Sequence, residues 1–106
     1  MSQRQFPHQT ILNILEHWSI DPIIQTSPHQ GLINHTWLIG TPTQGVLQWV
    51  NPIFDPRVHE DIHDLTTHLA SKGLVTTTLL PTLDGRHYLP DPEGGYWRIL
   101  SFVPGL

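Results

Sequence analysis

The stretch VLQWVNPIFDPRVHEDIHDLTTHLAS, residues 46–71, decides the fold. Its first five residues, Val46-Leu47-Gln48-Trp49-Val50, are β-branched, aromatic or apolar and read as a strand. Pro52 and Pro56 then punctuate the chain, and the period changes. Val58, Ile62, Leu65 and Leu69 recur at spacings of three and four, which predicts a helix over residues 56–71 with one apolar stripe. Asp55 suits its N-cap and Pro56 its first turn. Gly73, just after Lys72, is a C-terminal stop.

Upstream, Thr36-Trp37-Leu38-Ile39 is rich in strand formers, and the turn residues 41–45 connect it to the strand at 46–50. Residues 23–27 read as an earlier strand entering a turn at 28–31, so residues 23–51 are expected to form three antiparallel strands. A short amphipathic helix over 7–18 precedes them, with Ile11, Leu12, Ile14, Leu15 and Trp18 at helical spacing. Downstream, residues 75–81 and 86–89 flank Asp84-Gly85, a hairpin signal, and the turn at 91–95 leads into a strand over 96–103. The expected architecture is α+β: an antiparallel five-stranded sheet with a packed helix, preceded by a short N-terminal helix. Trp18, Trp37, Trp49 and Trp97 are expected in the core, since aromatic side chains contribute mainly by burial.

Composition narrows the function. A chain of 106 residues suits a single domain, residues 1–106. Five Lys plus Arg against nine Asp plus Glu give a formal charge of −4. The five cations are scattered, which argues against nucleic acid and against an anionic membrane surface as partners. No apolar run is long enough to span a bilayer, and residues 1–20 lack a signal-peptide layout, so the expected location is cytoplasmic. Without cysteine there is no disulfide and no thiolate zinc site.

Several segments carry a resemblance. Gly31-Leu32-Ile33-Asn34-His35-Thr36-Trp37 resembles the G-x-x-N-x-T-aromatic start of the aminoglycoside phosphotransferase superfamily, whose N-lobe is protein-kinase-like. Val46-Leu47-Gln48-Trp49-Val50-Asn51-Pro52-Ile53-Phe54 is similar to the I-L-Q-x-I-N-x-x-V-F strand of its sugar-kinase branch, which includes N-acetylhexosamine kinases. The helix that begins at Asp55-Pro56, and the segment Tyr96-Trp97-Arg98-Ile99-Leu100-Ser101-Phe102-Val103-Pro104-Gly105, look like the same branch. The resemblance covers roughly residues 23–105. It implies the nucleotide-binding N-terminal lobe of an ATP-dependent small-molecule phosphotransferase, sugar or amino-sugar directed, working with ATP and Mg²⁺.

The same resemblance implies the site. Gly31, Leu32, Ile33, Asn34, His35 and Thr36 would form a backbone cradle for phosphate, because a glycine turn lets N–H groups approach oxygen closely. Phe102 and Val103 would line the adenine side. Gln48 stands where most kinase-like folds carry a phosphate-pairing lysine, and a neutral amide cannot supply that charge. Glu60 sits where a lysine-pairing glutamate is expected, the alternative being a solvated helix carboxylate. The family's catalytic aspartate and metal ligands belong to a C-terminal lobe, so residues 1–106 by themselves are expected to hold no catalytic residue and to be inactive. Nucleotide and small-molecule substrate would be partners of the full-length protein. The lobe face around Phe102 and Val103 would self-associate or recruit a partner.

Two rival readings stand beside this one. His59-Glu60-Asp61-Ile62-His63 matches H-E-x-x-H, which in zinc metallopeptidases sets two histidine ligands one helical turn apart beside a glutamate base. No third ligand is evident, and the motif lies inside the kinase-like helix segment, so the phosphotransferase reading assigns no metal to His59 and His63. The other rival is a non-catalytic interaction module built on such a lobe.

Overall fold

The structure is a computed structural model and describes residues 6–25, 29–30, 35–53 and 55–103. Helix α1 spans His8–Leu15, and strands β1, β2 and β3 span His29–Gln30, His35–Ile39 and Gly45–Val50. Helix α2, Arg57–Ser71, precedes β4, Leu89–Pro90, and β5, Tyr96–Ser101. The sheet runs β1-β2-β3-β5-β4, and every pairing is antiparallel. The molecule is therefore an α+β domain with an antiparallel sheet and two helices.

Five strands pair, but they are not all the segments expected to form them. Three strands carry the sheet, β2 with five residues and β3 and β5 with six each. The outer strands β1 and β4 are two residues long. Of the segment expected at 23–27, the described residues 23–25 contribute the single bridge Ile24↔Ile39, and segment 75–81 contributes only Leu79↔Leu100. Pro81 and Pro90 lack the N–H that a longer ladder requires. His29 and Gln30, expected within a turn, form β1 instead and pair with Thr36 and His35.

Residues 79–90 fold differently from a simple hairpin. The Asp84-Gly85 turn forms, with Gly85 N–H donating to the Thr82 carbonyl at 2.9 Å. Both flanks, however, pair with β5: Leu79 opposite Leu100 and Leu89 opposite Trp97. The chain between them leaves the sheet edge and returns. Leu83 N–H bonds the His17 carbonyl at 2.8 Å, and Trp18 Nε1 donates to the Leu80 carbonyl at 3.0 Å, so this loop is tied to the end of α1.

One sheet face carries the core. Trp37 and Ile39 on β2, Leu47 and Trp49 on β3, and Trp97 and Ile99 on β5 share it by two-residue alternation. Ile11 and Leu15 of α1, with Trp18 beyond its end, pack in the same buried cluster. Phe6 inserts between Trp37, Trp49 and Trp97 at ring separations of 5.5, 5.3 and 5.2 Å. Asp91 fastens the 91–95 turn: Oδ1 accepts Glu93 N–H at 2.7 Å and Oδ2 accepts Trp97 Nε1 at 2.7 Å. Gly95, at φ +85, lies so close to Trp49 that an added Cβ would clash with the indole Nε1, so only glycine fits.

Helix α2 starts where the sequence places it. Asp55 Oδ1 accepts the Arg57 N–H at 2.8 Å, although the residue at the N-cap position is Pro56. That bond and the adjacent Arg57 guanidinium hold the Asp55 carboxyl below its usual range. The helix ends at Gly73, φ +80, whose N–H bonds the Ala70 carbonyl at 3.0 Å. Its buried face is not the aliphatic stripe, however. His59 and Thr66 are buried, Val58, Ile62 and Leu69 half-buried, and Leu65 is 58% exposed. The helix is turned toward Tyr88 and Tyr96, which take the His59 ring, and Leu65 consequently faces away.

Candidate functional site

The sheet face opposite the tryptophan core carries the residues with chemistry. In register, Thr36 lies opposite Gln48 and Gln48 opposite Arg98, so three polar side chains stand in a row across β2, β3 and β5. Two residues along each strand, Leu38, Val46 and Leu100 form a parallel row of half-buried apolar side chains. Phe102 follows the end of β5, 37% exposed, with Val103 half-buried beside it in sequence.

Arg98 is the one arginine among the described residues that is buried, at 8% exposure. Its Nε donates to Gln48 Oε1 at 2.8 Å. Desolvation lowers its pKa, though a guanidinium remains charged at neutral pH. The other described arginines pair with carboxylates on the surface, Arg57 with Asp55 and Arg86 with Asp84, each at 3.1 Å.

His59 approaches this row from α2. Its ring is completely buried, stacked on Tyr88 at 4.5 Å and edge-on to Tyr96 at 5.4 Å. Neither ring nitrogen has a hydrogen-bond partner among the described residues. Burial, then the nearby positive charge of Arg98, push its pKa down to about 4, so the ring is neutral at physiological pH.

Glu60 points elsewhere. Both its carboxylate oxygens lie 3.0 Å from His87 Nδ1, and the His87 ring stacks on His63 at 3.9 Å. Glu60 and His87 line a cleft of about 320 Å³ with Gly85, Arg86, Tyr88 and Pro90. The acid assigned to meet the third strand thus pairs with the 81–88 loop, while its neighbour His59 turns toward the sheet. Sequence spacing cannot decide between adjacent helix positions, which differ by about 100° around the axis.

The predicted site residues therefore divide. Thr36, Gln48 and the segment at Phe102 and Val103 belong to β2, β3 and the end of β5, and Thr36 and Gln48 are direct partners. His35 packs instead on the core side, its ring 5.0 Å from Phe6. Gly31, Leu32, Ile33 and Asn34 lie outside the described residues. Arg98 was missed as a site residue. Its signal was present in the sequence as a lone cation inside the otherwise uncharged strand YWRILS.

The H-E-x-x-H histidines do not converge. His59 is enclosed by tyrosines, and His63 is engaged with His87. Among the described residues no three His, Asp or Glu side chains are grouped to hold a metal ion. Zinc chelators are accordingly expected to leave the thermal midpoint unchanged, because a structural zinc would contribute directly to folding energy. A large drop with chelator, or stoichiometric zinc in the purified protein, would restore the metal reading. No helix among the described residues is long and apolar enough to cross a membrane. The sequence matches no family model and no curated protein.

Proposed function

We propose that this domain is the nucleotide-clamping lobe of a kinase-like, ATP-dependent phosphotransferase acting on a small molecule of the sugar or amino-sugar class. The observation that carries the reading is the sheet face opposite the core. An apolar row, Leu38, Val46 and Leu100, lies beside a polar row, Thr36, Gln48 and Arg98. A nucleotide has the same two-part chemistry, a flat apolar base and an anionic phosphate chain. The element order, with α2 between β3 and β4, supports it as the order expected of a kinase-like N-lobe. Mg²⁺ would accompany ATP, its ligands coming from the family's other lobe, and the chemistry it supplies is charge neutralisation on the phosphates.

Residues 1–106 alone bind ATP weakly in this reading. One lobe provides a roof for adenine and a cradle for phosphate, without the floor, and a net charge of −4 gives no long-range attraction to an anion. The expected Kd is about 1 mM or weaker, roughly 4 kcal/mol of binding free energy. An NMR titration with ATP and Mg²⁺ tests it. Small shifts are expected at residues 31–36, Gln48, Phe102 and Val103. Micromolar affinity, or shifts centred on His59 and His63, would move the site elsewhere.

A further inference from the structure

We propose that Arg98, aimed by Gln48, is the cation with which this sheet binds the phosphate chain of a nucleoside polyphosphate. The inference deepens the nucleotide-lobe reading and rests on it for the nucleoside part of the ligand only. Arg98 is buried to 8% exposure, yet no carboxylate among the described residues contacts it. Desolvation alone accounts for its lowered pKa, with no acidic neighbour raising it. A buried charge without a counter-charge is costly, and groups perturbed in this way cluster at functional sites.

The geometry says which kind of ligand. Gln48 and Arg98 are directly paired across β3 and β5, so their side chains share a face. Gln48 Oε1 takes only the Nε hydrogen, at 2.8 Å. Among the described residues the two terminal NH₂ groups of the guanidinium have no hydrogen-bond partner. They form a planar fork suited to two oxygens of one phosphate or carboxylate. The glutamine fixes the plane of that fork, which reduces the entropy lost on binding. Thr36, next in the row on β2, adds a hydroxyl on the same face.

Among the described residues no carboxylate pairs with the fork. Glu60 is taken by His87, Asp84 by Arg86 and Asp55 by Arg57. His59, the titratable group closest in kind, is kept neutral and adds no repulsion to Arg98. The positive charge absent from position 48 on the third strand is thus present one strand over, at its cross-strand partner. A phosphate chain lying along Thr36, Gln48 and Arg98 would leave its base over Leu38, Val46 and Leu100.

The test follows the Arg98 Nε–H resonance of the 106-residue chain at constant ionic strength. Sodium tripolyphosphate, ATP and adenosine are titrated separately. Tripolyphosphate and ATP are expected to shift the Arg98 resonance, and adenosine to leave it in place while moving Phe102 and Val103. Arg98→Lys keeps the charge and loses the fork, and is expected to weaken ATP binding about tenfold; Arg98→Met should weaken it further. If Arg98→Met does not fold, the parent resonance and the lysine variant carry the test. An Arg98 resonance unmoved by both phosphates, with Phe102 and Val103 responding to ATP, overturns the proposal and leaves the nucleotide lobe standing. Shifts at Arg98 with tripolyphosphate, but none at Phe102 and Val103 with ATP or adenosine, support the anion site and overturn the nucleotide lobe.

Discussion

Replacing Trp97 by alanine is expected to cost about 3–5 kcal/mol, a large fraction of the roughly 5–15 kcal/mol by which folded domains are stable. Trp97 is the largest fully buried side chain, at 0% exposure. It is the second residue of β5, paired with Trp49 on β3 and Leu89 on β4, and its ring lies 5.2 and 5.7 Å from those of Phe6 and Trp37. Its Nε1 also donates to Asp91 Oδ2 at 2.7 Å, so truncation leaves a cavity and removes one of the bonds to the Asp91 carboxylate in one step. Trp97→Phe separates the two contributions, because it keeps most of the ring and loses the indole N–H. Urea unfolding of both variants measures them, with Trp97→Phe falling between parent and Trp97→Ala. A loss below about 1 kcal/mol for Trp97→Ala would mean that the aromatic cluster is not the core of the domain.

The second large effect is a gain. His59→Phe is expected to stabilise the protein by about 1–3 kcal/mol at pH 7, because it removes a buried ring whose two nitrogens lack partners. Phenylalanine keeps the stacking on Tyr88 and the edge contact with Tyr96. The larger signature is in pH. The folded imidazole has a pKa of about 4 and the unfolded one about 6.5. Between those values the unfolded chain binds a proton that the folded chain does not, so stability falls as pH falls through 6.5 and the loss is complete near 4. The His59 share of that loss is on the order of 3 kcal/mol. Asp55 and Asp84, whose carboxyls are held below their ordinary range by hydrogen bonds to Arg57 and Thr82, lose their contributions at still lower pH. Stability measured against pH for parent and His59→Phe should therefore diverge from pH 7 to 4. Parallel curves would show that His59 is not enclosed as described.

Why would a sequence keep such a residue? An aliphatic stripe was available on α2, and the structure leaves Leu65 of that stripe exposed. The helix is oriented by what it meets, two tyrosine rings from β5 and the 81–88 loop, with the Glu60–His87 pair beside them. A periodic pattern identifies a helix because the period is a property of neighbouring residues. It does not identify which side meets the sheet when polar aromatic residues compete for that side. His59 is such a residue, and so the helix was legible while its orientation was not.

The sheet divides in the same way. β2, β3 and β5 could be read directly from runs of β-branched and aromatic residues bounded by turns, and Asp84-Gly85 correctly marked a reversal. The edges could not. Residues 79–80 and 89–90 both attach to β5, which they meet after 21 or fewer positions of chain and not through each other. Pro81 and Pro90 limit those attachments, but proline says only where a ladder stops, never which strand it joined.

By itself the sequence determined an α+β domain, three central strands, two helices with the start and stop of α2, and four tryptophans in the core, since these depend on local period, turn chemistry and the free energy of burying large apolar rings, whereas α1 ends at Leu15, short of the expected residue 18. Tertiary structure alone decided the partners. Gln48 meets Arg98 across fifty residues, Glu60 meets His87 rather than the third strand, and His59 is sealed between Tyr88 and Tyr96. Each of these depends on strand register and helix rotation, which are set by the whole packed core, so a spacing along the chain cannot specify them.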